Sequence, residues 1–272
     1  MVELTESVAN PGSALGEAIG VLMENALNRT LKPIAETKDC IFIDAGPLNI
    51  RTNLETKLLL KDSNDIEYNI DAVIANKKFQ PLVLIESKYI RYKKHNRDKG
   101  SWVCTAHQSL RNRFSSIRSS VAVIAGNWSN TSKAMMKSFD ITLFEIPFSS
   151  LAEILSEYGI DFYWKEKERD KAFKAWNTFI SLSDKQRQEI GDKLISIIEK
   201  DIDTTISKVL DNTIPRSIKD VEIQVTSNLG EMKIYNFKGI IEALKFLKDL
   251  ENNQDKILDT DNSPTLFENI GN

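Results

Sequence analysis

The chain has 272 residues, of which 41% are hydrophobic and 28% charged, and its net charge is −3. That is the composition of an ordinary globular protein, and it excludes an overall basic field of the kind that advertises nucleic-acid binding; any such surface has to be local. Two cysteines, Cys40 and Cys104, and two histidines form no close-spaced motif, which argues against a Cys/His zinc site and leaves both thiols as small buried side chains. The start, MVELTESVANPGSALG, has neither the basic nor the apolar region of a signal peptide. No apolar run approaches the ~20 residues of a membrane span. A cytoplasmic protein with no membrane partner is expected.

In chain order, NPGSALGEAIGVLMENALNRTLKPIAE predicts a helix after a Pro-Gly turn, with Ser13 as N-cap and Leu15, Ile19, Leu22 and Leu27 at helical spacing. CIFIDAG reads as a short strand. KLLLKDSNDIEYNIDAVIANKKFQPLVLIESKYI reads as three strands, separated by DSND and NKKFQP turns. A helix is expected over residues 101–117, a buried strand at SVAVIAG, a short helix from Thr131 to Phe139, a strand at ITLFEIP, and a Ser-capped helix at SSLAEILSEYG. GNWSN, after SVAVIAG, is best read as a plain turn.

This order predicts an α/β fold, a mixed central β-sheet with helices on both faces, over residues 1–163. The texture then changes. Residues 164–250 read as a mostly helical C-terminal region containing a β-hairpin around Asn228–Gly230 and an amphipathic helix at KGIIEALKFLKDL, and residues 251–272 as a polar tail. The amphipathic faces of the C-terminal region suit dimerisation or partner docking.

The chemistry concentrates in VLIESKYIRYKKH, which begins as an apolar run and ends as a cationic segment. Alternation puts Leu82, Leu84, Glu86 and Lys88 on one face of a strand. Both faces are apolar through Ile85, as in a central strand covered by helices, so Glu86 and Lys88 emerge together at its end. A buried charge is costly and needs a partner or a task; a structural Glu–Lys pair is the plain alternative. A second acid, Asp71, stands among Ile70, Val73 and Ile74 in the preceding strand. Antiparallel pairing through the NKKFQP turn brings Asp71 toward Glu86. Two adjacent carboxylates repel unless a cation lies between them, and Mg²⁺ prefers one or two carboxylates together with water and phosphate oxygens.

Asp71 followed by Glu86-Ser87-Lys88 across a turn resembles the PD-(D/E)XK nuclease superfamily, which includes restriction endonucleases and many repair nucleases. Ile70 stands where the family's name has proline, a position that varies within the superfamily. The element order from residue 13 to about 160 also resembles its α-β-β-β-α-β core, the restriction endonuclease-like core. The resemblance implies that Asp71 and Glu86 bind Mg²⁺, that the Ser87 carbonyl adds a ligand, and that Lys88 orients the attacking water and stabilises charge at the phosphate. It further implies an acid on the first helix; Glu24 in GVLMENAL, preceded by Gly20, is preferred to Glu17. His107 and Gln108 fall on the following helix, and Gln108 is the residue expected to face the site.

From Lys88 to Arg118 there are nine Lys and Arg and one acid, Asp98, a net of +8. Such local polarity beside a metal site suits phosphate contact. Arg91, Lys93, Lys94, Arg97, Lys99, Arg111 and Arg113, with Gln108, are the expected DNA-binding residues; a solvated basic loop is the alternative. The implied function is Mg²⁺-dependent DNA endonuclease activity, of type II restriction kind, by a homodimer on double-stranded DNA. The alternatives are a structure-specific or repair nuclease, or a non-cleaving nucleic-acid-binding protein of the same fold.

Overall fold

The computed structural model describes residues 9–46, 48–49, 54–92, 96–165 and 167–252, and everything below concerns these residues. The chain divides into two compact units, Met1–Asp211 and Asn212–Asn272.

The first unit opens with helix α1 (Pro11–Thr37). Pro11 occupies the first turn, where its missing N–H costs nothing. The N-cap is Asn10 rather than Ser13: the Asn10 side chain accepts from the Ser13 N–H at 3.2 Å. Leu15, Ile19, Met23, Leu27 and Leu31 recur every four residues and are all buried, so α1 presents one apolar stripe.

That stripe packs against a five-stranded sheet with the order β1 (Ile41–Ile43), β6 (Ala72–Ala75), β7 (Pro81–Ile90), β8 (Ser119–Gly126) and β9 (Ile141–Pro147). β6 runs antiparallel to both of its neighbours, β1 and β7, while β7, β8 and β9 run parallel. The sheet is therefore mixed and helix-flanked, as the element order implies. β8 is buried along its whole length, as a central strand covered on both faces has to be. One face meets α1 and α4 (Phe148–Glu157). The other meets α2 (Asn96–Arg113) and α3 (Asn130–Ser138), which bring Val103, Cys104, Leu110 and Met136 onto it.

The first unit also carries two minor hairpins, β2 (Leu48–Asn49) with β3 (Leu54–Glu55) and β4 (Leu59–Lys61) with β5 (Glu67–Asn69). The middle strand of the expected three is thus two strands, β5 in a hairpin and β6 in the main sheet, and the break falls at Ile70–Asp71. The cause is one side chain: Asp71 accepts from the Ser87 N–H at 2.8 Å, so a carboxylate satisfies a donor on β7 where the ladder stops. Helix α2 begins five residues before the expected start, because Asn96 is buried and its amide donates to the Asn127 carbonyl at 3.1 Å.

The structure moves the division of the chain. Helices α5 (Arg169–Ser181), α6 (Asp184–Ser196) and α7 (Glu199–Val209) belong to the first unit, so the compact boundary is at Asp211 rather than near residue 163. Their apolar residues Trp176, Phe179, Ile190, Leu194 and Ile202 share one core with α1 and the sheet. α6 reaches α1 closely enough that a Cβ on Gly191 would meet the Leu22 carbonyl oxygen at 2.6 Å. The charged texture after Trp164 lies on the outer faces of these helices, which is why composition suggested a separate region.

The second unit contains β10 (Val221–Thr226) and β11 (Met232–Phe237), an antiparallel hairpin turning through Ser227–Gly230, and helix α8 (Ile240–Asn252), whose Phe246 ring packs 4.4 Å from Tyr235 and 5.1 Å from Phe237. Residues 253–272, most of the expected polar tail, lie outside the described residues. Among the described residues no helix is long and apolar enough to cross a membrane.

GNWSN closes the end of the sheet where β7 and β8 finish together. Gly126 has φ +95°, and a Cβ there would fall 2.1 Å from the Ile90 carbonyl oxygen. Gly126→Ala is therefore expected to destabilise the protein by at least about 2 kcal/mol, through positive-φ strain and the displaced β7 carbonyl. A urea unfolding midpoint equal to wild type would refute it.

Candidate metal and phosphate site

The β6–β7 register pairs Ala72 with Ile85, and by one more antiparallel step sets Asp71 across from Glu86. The two acids come together there around one cation. The Lys88 ammonium donates to Asp71 Oδ2 at 2.7 Å and also closes on Glu86 Oε2. The Ser87 N–H converges on the same Asp71 oxygen. Exposure rises along this set, from 1% for the Glu86 side chain to 14% for Asp71 and 23% for Lys88, so the cluster leads from dry core to solvent.

Burial dominates the electrostatics. It pushes the Glu86 carboxyl up to about 8, with Lys88 pulling it down and Asp71 pushing it further up. Burial works against the charged Lys88, but the two carboxylates outweigh it and its pKa is raised. Lys88 closes on Glu86 Oε2 without a well-directed hydrogen bond, and both Glu86 oxygens are otherwise unpartnered.

Glu24 sits half-buried on α1. Its pKa is raised by burial first and then by the Asp71 charge, with Lys88 opposing, which places it in electrostatic reach of both. Glu17, two turns earlier, is exposed. Both line a cleft of about 920 Å³ between α1 and β7, together with Gly16, Gly20, Lys88 and Lys99. The small residues let the helix approach the strand: a Cβ on Gly16 would meet the Tyr89 ring at 3.1 Å.

The basic segment divides. Arg91, expected at phosphates, is buried. Its Nη2 donates to the Phe162 and Trp164 carbonyls, both at 3.0 Å, and its guanidinium lies 4.0 Å from the Phe162 ring centre and 3.4 Å from that of Trp164. It ties the α4–α5 connection to the end of β7 and also lines the cleft. Arg113 is committed as well, donating to the Asp62 carbonyl at 2.5 Å beside Asp65 in the β4–β5 turn. Lys99 donates to the Tyr89 carbonyl at 3.3 Å inside the cleft, and its pKa is lowered by burial and by Lys88. Arg97 is exposed and Arg111 half-buried on α2. Lys93 and Lys94 lie outside the described residues.

Gln108 does not face the site. It is exposed and donates to Asn112 at 3.2 Å, one turn along α2. Its neighbour His107 points inward, 1% exposed, with Nε2 4.0 Å from Glu86 Oε1. Burial first, and then Lys88, push its pKa down to about 3, so the imidazole is neutral. The signal for His107 was present in the sequence: Val103, His107 and Leu110 share the inner stripe of α2, while Gln108 falls beside it.

Among the described residues no group of three or more His, Cys, Asp and Glu gathers in a metal-binding arrangement. An ion here would have Asp71 and Glu86 as side-chain ligands and would leave its other positions to backbone, water or substrate, as Mg²⁺ tolerates. The donor set fits: two hard carboxylates already turned onto one positive charge, that of Lys88.

No family model matches the chain, and no curated protein matches it. Among solved structures, a crystal structure of a protein of unknown function, AF1548, is similar at 14% identity, covering 69% of this chain and 98% of that one, with a TM-score of 0.31. A likeness that shallow carries no argument about fold or function.

The raised Glu86 pKa has a consequence for the metal-free protein. Below the unfolded value near 4.5 the carboxyl is protonated whether folded or not. Between that value and about 8 the unfolded chain releases the proton while the folded chain keeps it, so this group's contribution falls as pH rises. Glu86→Gln is therefore expected to gain stability relative to wild type across that window, at no more than about 1.4 kcal/mol per pH unit. Denaturant midpoints in a chelator at pH 4, 6 and 8 measure it; a difference independent of pH would count against the shift.

Proposed function

We propose that this protein is a Mg²⁺-dependent DNA endonuclease that hydrolyses phosphodiester bonds, of type II restriction kind, acting as a homodimer on double-stranded DNA. The observation that carries the proposal is the convergence of the Asp71 and Glu86 carboxylates on the Lys88 ammonium, where a buried strand opens onto a cleft. Asp71 and Glu86 would hold the ion, with the Ser87 carbonyl as a candidate further ligand and Glu24 near enough to act through water. A bound Mg²⁺ supplies charge neutralisation at phosphorus and a more acidic water.

The chain's own groups do the rest. Lys88 is the only one of the three bridging groups with a positive charge, and it lines the cleft. With the carboxylate charge taken up, its ammonium is free to hold the attacking water and to stabilise the phosphate in the transition state. Lys99 in the cleft, and Arg97 and Arg111 on α2, are described basic residues that would be available for phosphate contact. Two such sites in a dimer would address both strands.

The test is incubation of the purified chain with plasmid and Mg²⁺, followed by sequencing of the ends. Discrete ends support the restriction reading. Cutting confined to junctions, flaps or nicks would move the assignment to a repair nuclease, and DNA binding without cutting would overturn catalysis altogether. Asp71→Ala, Glu86→Ala and Lys88→Ala are each expected to lower cleavage at least about 100-fold while leaving DNA binding in Ca²⁺ intact. Undiminished cleavage by any one of them removes that residue from the mechanism.

A further inference from the structure

Buried polar atoms nearly always find partners, and each exception needs a reason. His107 and Glu86 are two exceptions that face each other. Both His107 nitrogens and both Glu86 oxygens are buried without a hydrogen bond, and the facing pair, Nε2 and Oε1, is 4.0 Å apart. That is about 1 Å beyond a good N–H···O bond. The two groups come from different elements, α2 and β7, so no local turn geometry forces them together.

We propose that His107 is a positioning residue for the cation site: its Nε2–H closes onto Glu86 Oε1 and holds the carboxylate with Oε2 turned outward, toward Asp71 and the ion. The division of labour between the two oxygens is already present. Oε2 carries the Lys88 ammonium, on the Asp71 side, and Oε1 faces the imidazole. A neutral imidazole has one N–H to give, and a buried carboxylate that keeps its charge needs a donor on the oxygen its cation does not occupy. Contacts of this kind are often long in a ligand-free site and shorten once the charge is in place. An aliphatic residue at 107 would fill the space and leave Oε1 bare.

This inference rests on the cation-binding part of the nuclease reading and on nothing about DNA. It is tested by calorimetric titration of the full chain with Mn²⁺, used as the probe for a hard divalent cation. Wild type is expected to bind Mn²⁺, and Glu86→Gln to lose that binding. His107→Leu is expected to weaken it about 10- to 100-fold. His107→Gln, whose amide N–H reaches to a similar depth, is expected to restore most of it. No binding by wild type overturns the cation site and this inference together. Binding that depends on Glu86 but is unchanged in His107→Leu overturns this inference alone, as does a His107→Gln variant as weak as His107→Leu. Should His107→Leu not fold, ¹⁵N NMR of the wild-type imidazole decides: Mg²⁺ should shift the His107 Nε2–H signal downfield and slow its exchange with water, and an unmoved signal refutes the contact.

Discussion

The first unit is organised around one electrostatic problem: a carboxylate, Glu86, held at the end of a strand that is otherwise apolar on both faces. Desolvating such a group costs several kcal/mol unless a partner offsets it. The partners come from three directions. Lys88 follows it on the same strand, Asp71 lies across the β6–β7 register, and His107 approaches from α2. The β6–β7 register also fixes the meeting point. A slip of one residue would send Glu86 to the α1 face and part it from Asp71 and His107. The sheet is therefore what sets the chemistry, and the helices close it in.

Much of this was legible in the sequence, because periodicity records burial directly. The two-residue alternation through Leu82–Lys88 placed Glu86 and Lys88 on one face, and the uniformly apolar SVAVIAG gave the central strand. The acid in the preceding strand implied the pairing across the turn. What was not legible depended on distance in space. Nothing in the residues around 164 says that α5–α7 cover α1, because their inner stripes are interleaved with many charges. Nor does the pattern near Ile70 say that the strand breaks, since the break comes from a bond made by a side chain to Ser87, sixteen residues away.

The basic segment shows how little a count of charges says about where each one lies. Its positive residues form one block in sequence, but the fold assigns them different tasks. Arg91 is enclosed by aromatic rings and backbone carbonyls, where guanidinium planarity and fixed donors suit it better than lysine would. Arg113 fastens a hairpin turn. Lys99 bends into the cleft. Only position relative to the sheet separates a cation that meets a ligand from one that holds a loop.

The contact of Gly191 with α1 bears on how such a protein can change over evolutionary time. At that crossing a side chain would collide with the Leu22 backbone, so α6 and α1 must vary together. Helices α5–α7 are thus an inherited part of the first unit, unsuited to exchange for another lineage's segment. The hairpin and α8 lie beyond the compact boundary at Asp211, in a unit of their own that this constraint does not bind.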